Sequence, residues 1–370
     1  MRKVTPIFFL SAALAAATIY SCKKSGDHVG QALSQGTEVL EMPAMPYDYS
    51  GSGFGIPVDN NKAALGRVLF YDRHLSINNS VSCGTCHKQA LAFADDATFS
   101  RGFENRLTGR NSMPLQNLPG PNVFGGVGIS LFWDGRSSSL NDLILRPINN
   151  HVEMGVADLN TIPAKLAELP YYRELFSAAY GDGNITNERI SESVTTFLQS
   201  IQANRSKLDR QQQGEKVMNA QELYGMTLFD SKYNCRSCHT LTPAVYYGTM
   251  GQNFVNIGLE TTPTDKGRAA ITGNPADEGK FRIPNLHNIA LTAPYMHDGR
   301  FTTLEEVIEH YSHNIKNAAS LDSRLKGPDG KAMKMNITTD EKAALVAFLK
   351  TLTDYEMITD PKFSNPFKIK

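Results

Sequence analysis

Four of the five cysteines in this 370-residue chain fall into two copies of one short pattern: Cys83-Gly84-Thr85-Cys86-His87 and Cys235-Arg236-Ser237-Cys238-His239. The fifth, Cys22, ends an apolar N-terminal run. A structural zinc site takes four ligands, and no cysteine outside these pairs is left to complete one. A thioredoxin-like dithiol belongs beside a βαβ unit and has no need of the histidine. Covalent c-type haem uses all three residues, because the two sulfurs add to the vinyl groups and the histidine becomes an axial iron ligand. The sequence therefore predicts two covalent c-type haems, one on Cys83, Cys86 and His87 and one on Cys235, Cys238 and His239.

Arg2 and Lys3, an apolar stretch from Ile7 to Tyr20, and then Ser21 and Cys22 form the pattern of a secretory signal. The stretch is short for a membrane span. A cysteine at the cleavage point resembles a bacterial lipobox, so the expected product is a periplasmic protein anchored through lipidated Cys22. The alternative is simple cleavage that leaves Cys22 free. Lys plus Arg number 37 and so do Asp plus Glu, which leaves no basic field for nucleic acid.

A weak internal repeat divides the chain. Residues 64–70 (ALGRVLF) precede the first motif and residues 223–229 (LYGMTLF) precede the second, each reading as a short helix that leads into a haem motif. In the stretch NERISESVTTFLQSIQAN, Ile190, Val194, Phe197, Leu198 and Ile201 share one helical face. The closing stretch TTDEKAALVAFLKTLTD reads as another helix, with Thr338 and Glu341 as a capping box and Leu345, Phe348, Leu349 and Leu352 as its apolar face. Strand-like alternation is scarce. The expected fold is mainly α, with two cytochrome c-like domains that each bind one haem. The expected layout is a signal at 1–22, a tether at 23–55, an N-terminal haem domain at 56–205, a C-terminal haem domain at 206–355 and a tail at 356–370. The polar stretch at 205–220 reads as the interdomain link. Gly/Pro/Asn-rich loops such as residues 117–128 are expected around the haems.

Four further stretches occur in order around the two motifs: GRNSMP (109–114), LFWDGR (131–136), NNHVEMG (149–155) and LTAPYMHDGRFTTLEE (291–306). Together they resemble the bacterial dihaem cytochrome c peroxidases and their relative MauG, over roughly residues 56–355. The resemblance implies reduction of H2O2 to water with electrons from a small donor of cytochrome c or cupredoxin type. It implies that Trp133, the single tryptophan, stands between the haems and mediates electron transfer. Glu153 is implied as the acid/base on the open face of the first haem, moving a proton between the peroxide oxygens. The sixth ligand of the second haem is implied at Tyr311, with Met333 and Met335 as competitors, and a calcium ion at Asn111, Thr292 and Pro294. A homodimer is a further expectation.

Two departures from the family pattern matter. The glutamine expected ten residues after the tryptophan is Leu143 here. No histidine lies between Lys88 and Asn150, so this loop cannot cap the first iron with imidazole. The first haem is therefore expected to be five-coordinate or water-bound, with His74 as the one upstream residue that could change this. Two rival readings stay open: a MauG-like enzyme that oxidises a side chain of a partner protein, and a dihaem electron carrier without peroxide chemistry.

Overall fold

The computed structural model describes residues 38–40, 47–50, 57–118, 130–241 and 254–369. The signal run, Cys22 and most of the 117–128 loop lie outside the described residues. In chain order, a short strand β1 (Glu38–Leu40) leads to α1 (Asn60–Tyr71) and the one-turn helix α2 (Cys83–Cys86). Then come α3 (Leu140–Asn149), α4 (Thr161–Ala167), α5 (Pro170–Tyr180) and α6 (Asn187–Ser200). After α7 (Lys207–Gln212) follow α8 (Ala220–Thr227), β2 (Phe254–Val255), α9 (Ala269–Thr272) and β3 (Phe281–Arg282). The chain ends with α10 (Leu304–Glu309), α11 (Thr339–Lys350) and β4 (Phe367–Ile369). The architecture is mainly helical, and its two sheets are two-stranded antiparallel pairs, β1 with β4 and β2 with β3.

Each half is organised by one helix crossing. Asp59 starts α1 by accepting from the backbone N–H groups of Asn61 and Lys62 at 2.9 and 3.0 Å, which satisfies donors that a helix start leaves open. The buried face of α6, carrying Ile190, Val194, Phe197 and Leu198, packs on α1. The two helices meet at Gly66, where a Cβ would stand 1.9 Å from the Ser193 carbonyl oxygen and 2.9 Å from Phe197 Cβ. In the second half α8 crosses α11 in the same way. A Cβ on Gly225 would stand 2.0 Å from the Ala344 carbonyl oxygen and 2.8 Å from Phe348 Cβ. In both crossings the glycine faces residues four apart on the closing helix, so a missing side chain sets the interhelix distance. The cap of α11 is reciprocal: Glu341 N–H donates to Thr338 Oγ1 at 3.3 Å and Thr338 N–H to Glu341 Oε2 at 3.1 Å.

The buried apolar residues follow this division. One core runs from Tyr49 to Ala203, and a second from Leu208 to Leu352. Three segments behave differently from their sequence reading. Where the stretch expected as a tether is described, it is docked: β1 pairs Val39 with Lys368, and Tyr49 is buried in the first core. The link contains α7, started by a Ser206–Asp209 capping box and anchored by a fully buried Leu208. The tail returns to the first half, placing Met357 and Phe363 in its core. Such long-range pairings carry no local periodicity, so short polar segments conceal them.

Candidate functional site

The two Cys-x-x-Cys-His turns sit at equivalent ends of the two crossings. In the first, α2 packs so tightly on α1 that a Cβ on Gly84 would lie 2.5 Å from the Tyr71 ring. His87 N–H closes the turn on the Cys83 carbonyl at 2.9 Å. The His87 ring is held at Nδ1, 2.8 Å from the Phe93 carbonyl and 3.3 Å from Ser112 Oγ. To present that carbonyl, Ala92 and Phe93 both adopt left-handed backbone, with φ of 53° and 61°, a conformation side chains larger than glycine avoid. In the second turn, His239 Nδ1 lies 3.2 Å from the Pro284 carbonyl. Anchoring Nδ1 leaves Nε2 free in both rings. Burial holds both histidines below the ordinary imidazole range, His239 at about 4, which favours the neutral ring, the form that can ligate a metal.

Glu153 is brought to the first turn by a folded strap. Phe103 N–H donates to the Glu153 carbonyl at 2.8 Å, a Cβ on Gly102 would meet the Val152 carbonyl at 2.2 Å, and Cys86 Sγ lies 3.9 Å from the Arg101 carbonyl. The carboxylate accepts from Asn150 Nδ2 at 2.9 Å. Burial raises its pKa, opposed by the Arg136 charge and by the Asn150 bond. Burial also pushes the thiol of Cys83 up to about 12 and that of Cys86 to about 11, and the Glu153 charge adds to both. Leu143 is buried in the first core. His74 turns to Asp72, with Nδ1 2.6 Å from a carboxylate that also accepts from the hydroxyls of Tyr171 and Tyr172.

Beside the second turn lies a cavity of about 840 Å³, lined by Cys235, Cys238 and His239 together with Leu286, Ile289, Leu304, Ile308, Leu345 and Leu349. Its wall also carries Tyr311, Met333 and Met335. This size and apolar lining, with a neutral histidine beside two unpaired thiols, fit a covalently held haem. Tyr311 sits in a π-helical turn, His310–Asn314, that extends α10, a distortion frequent at functional sites. Among the described residues its hydroxyl has no hydrogen-bond partner. Burial first, then the Cys235 and Cys238 charges, raise its pKa.

Trp133 belongs to the first half of the chain yet lines the cavity of the second. Its Nε1–H donates to the Asn111 carbonyl at 2.9 Å, and its own carbonyl accepts from Arg282 N–H at 2.8 Å. The neighbouring Asp134 is buried and paired with Arg110 at 2.6 Å, and Arg110 also reaches Asp265 at 2.7 Å. Asn111, Thr292 and Pro294 line the same cavity. Asn111 Nδ2 donates to the carbonyls of Ala97 and Thr98 at 3.1 and 3.3 Å, which fixes the amide with Oδ1 available to a cation.

The sequence reading missed a second, longer repeat. Residues 131–137 and 295–301 form the same loop, closed by the bridges Leu131–Ser137 and Tyr295–Phe301. Both loops carry an Asp-Gly-Arg triplet and positive φ before the site residue, 64° at Phe132 and 75° at Met296. Ser139 and Thr303 then cap α3 and α10, accepting from Asp142 N–H at 3.1 Å and Glu306 N–H at 3.2 Å. Trp133 thus corresponds to His297, a buried ring stacked 3.7 Å from Phe281. A related lock joins each closing helix to its core. Asn117 and Asn288, both left-handed, donate their N–H groups to the carbonyls of Ile201 and Leu352, each at 2.9 Å. Aligning the two Asp-Gly-Arg triplets would have exposed this repeat from sequence.

Two helix-crossed units, each presenting a Cys-x-x-Cys-His turn and a ring-bearing loop at the same place, define a two-centre c-type cytochrome fold. The profile described as di-haem cytochrome c peroxidase matches residues 60–217. The cytochrome c551 peroxidase of Nitrosomonas europaea is 33% identical over 303 residues, which span 80% of this chain and 81% of that protein. The methylamine utilization protein MauG of Paracoccus denitrificans is 32% identical over 348 residues, 80% of this chain and 90% of that protein. The crystal structure of a MauG-like protein associated with microbial copper homeostasis has a TM-score of 0.72 at 32% identity, covering 90% of this chain and 98% of that one. The chain belongs to the dihaem cytochrome c peroxidase/MauG family of oxidoreductases, and the family implies two c-type haems.

Proposed function

We propose that this protein is an exported dihaem peroxidase that reduces H2O2 to water with electrons from a small cytochrome c or cupredoxin. The observation that carries the reading is the division of labour between two equivalent turns: a half-buried carboxylate beside the first, and a cavity with its own ring-bearing wall beside the second. Cys83, Cys86 and His87 hold one haem, and Cys235, Cys238 and His239 the other. Bound haem supplies the iron chemistry that delivers electrons to peroxide. Glu153 takes a proton from one peroxide oxygen and returns it to the departing one. Burial favours this role, because a carboxyl with a raised pKa exchanges protons closer to neutral pH. Trp133 carries electrons between the halves, since it belongs to one and lines the cavity of the other.

Tyr311, which lines the same cavity as His239, would serve as a further ligand to iron held there. Its unpartnered hydroxyl beside both cysteines supports it over Met333 and Met335, and an iron cation favours the tyrosinate that burial alone disfavours. His74 is engaged by Asp72 and so would not cap iron held at the first turn. Asn111, Thr292 and Pro294 would hold a calcium ion through their oxygen atoms. The layout is a peroxidatic domain at 56–205 and an electron-transfer domain at 206–355, with a lipid anchor at Cys22. The described residues contain no helix long and apolar enough to cross a membrane.

A second reading is favoured by Tyr311 and by the MauG-like structure: the same oxidised state oxidises a side chain on a partner protein. Stopped-flow mixing of the haem-loaded protein with H2O2 tests both. Rapid change of the haem absorption followed by turnover of small donors supports the peroxidase. Rapid change without donor turnover supports the MauG-like enzyme, and a slow or absent change leaves an electron carrier. EPR of the oxidised protein checks the ligands: an open first iron gives a high-spin signal.

A further inference from the structure

Among the described residues, four aromatic side chains that readily give up an electron line the second cavity: Trp133, Tyr233, Tyr295 and Tyr311. Removing an electron from a phenol makes it a strong acid, so a tyrosine passes charge reversibly only if a base holds its proton nearby. The four rings differ in this respect. Trp133 Nε1–H donates to the Asn111 carbonyl, and the Tyr295 hydroxyl donates to the Ile289 carbonyl at 3.0 Å. An amide carbonyl cannot keep a proton. The Tyr311 hydroxyl has no partner among the described residues. The Tyr233 hydroxyl donates to Glu341 Oε2 at 2.8 Å.

Tyr233 is also placed to connect the cavity with the surface. It stands two residues before Cys235, and its ring is half-buried. Glu341 is buried at 6% exposure and held on every side: by Lys232 at Oε1 and by the N–H and hydroxyl of Thr338 at Oε2, at 3.1 and 3.0 Å. A carboxylate so fixed receives the proton without moving and hands it back along the same hydrogen bond.

We infer that Tyr233 and Glu341 form a proton-coupled electron relay between the second haem site and the docked electron donor. The inference rests on the peroxidase reading. In the forward step Tyr233 gives one electron to the site left oxidised by H2O2, and its hydroxyl proton passes to Glu341 Oε2. In the return step the donor gives one electron to the neutral tyrosyl radical, and Glu341 returns the proton. Each cycle moves one electron from donor to haem site and leaves the pair unchanged.

The test is EPR of the haem-loaded full chain, frozen rapidly after mixing with H2O2 in the absence of donor. A tyrosyl radical is expected, with a hyperfine pattern that narrows when ring-deuterated tyrosine is incorporated. The signal should vanish in Tyr233→Phe and in Glu341→Gln, and persist in Tyr355→Phe, which alters a tyrosine 67% exposed at the surface. Gln at position 341 still serves the α11 cap, so this variant removes the base without removing the helix start. An unchanged radical in Tyr233→Phe overturns the relay, as does oxidised haem absorption in the parent protein without any tyrosyl radical. No optical response to H2O2 sinks the peroxidase reading itself, and the relay with it.

Discussion

The two halves of this protein share a frame and differ in what they hang on it. Gly66 and Gly225 set the same helix crossing, Asn117 and Asn288 lock the same closing segments, and two Asp-Gly-Arg loops lead into two capped helices. Counted in that register, Trp133 corresponds to His297, Pro147 to Tyr311 and Glu153 to Asn317. A proline offers iron no side-chain ligand, whereas a tyrosine does. At these corresponding places the first half carries the Glu153 carboxylate beside its motif, and the second carries the Tyr311 phenol in the cavity wall. The opening helices differ too. Ala64 and Leu65 of α1 are buried, whereas Leu223 and Tyr224 at the corresponding positions of α8 are 36% and 48% exposed. The returning tail covers α1, through Arg67 Nε to the Ser364 carbonyl at 2.6 Å. The comparison teaches that the frame fixes where two centres sit, while a few residues at its ends decide what each centre does.

The largest effect should come from removing one attachment pair at a time. Cys83→Ala with Cys86→Ala, or Cys235→Ala with Cys238→Ala, is expected to lower the intact mass of the matured protein by one haem in each case. Equal losses confirm two covalent centres. A loss from one pair alone breaks the equivalence of the halves. Next come the crossings. Gly66→Ala and Gly225→Ala each drive a Cβ to about 2 Å from a backbone oxygen, and each should cost about 3 kcal/mol in denaturant unfolding. A cost confined to one of them would show that only one crossing is rigid.

Much of this frame was legible in the sequence, and the reasons are specific. Cysteine arithmetic singled out the two Cys-x-x-Cys-His turns, and the 3.6-residue spacing of Ile190, Val194, Phe197 and Leu198 announced α6. The Thr338–Glu341 cap could be read because a helix start is a local event. What stayed hidden joins distant residues. Tyr233 and Glu341 lie 108 positions apart, and β1 meets β4 across almost the whole chain. Two-residue strands such as β2 and β3 show no alternation to detect. The Glu153 strap depends on backbone carbonyls, which every residue carries and no motif marks.

Glu153 should separate the halves chemically. Glu153→Gln is expected to slow the reaction with H2O2 by about 100-fold and to leave the absorption of the second centre unchanged. The pH dependence has a definite sign. A base works ionised, and burial raises this carboxyl above its ordinary range, so the rate should climb as pH rises through that raised pKa. Arg136 limits the rise, and the climb should disappear in Glu153→Gln. A pH profile that survives the substitution would assign the proton transfer elsewhere.

The smallest effect tests the covered opening helix. The Tyr71 hydroxyl donates to the Phe363 carbonyl at 2.7 Å, and its ring packs against Gly84 of the first motif. Tyr71→Phe keeps the ring and leaves that buried carbonyl unpaired, so unfolding free energy should fall by about 1 kcal/mol. The corresponding position in the second half is Asp230, half-buried and joined to Arg236 by two hydrogen bonds at 2.7 and 2.8 Å. Asp230→Asn should change stability by less, about 0.5 kcal/mol, since the amide keeps an oxygen that accepts from Arg236 and water reaches the pair. If the two substitutions cost the same, the tail does not distinguish the halves, and the exposed face of α8 would owe nothing to its absence there.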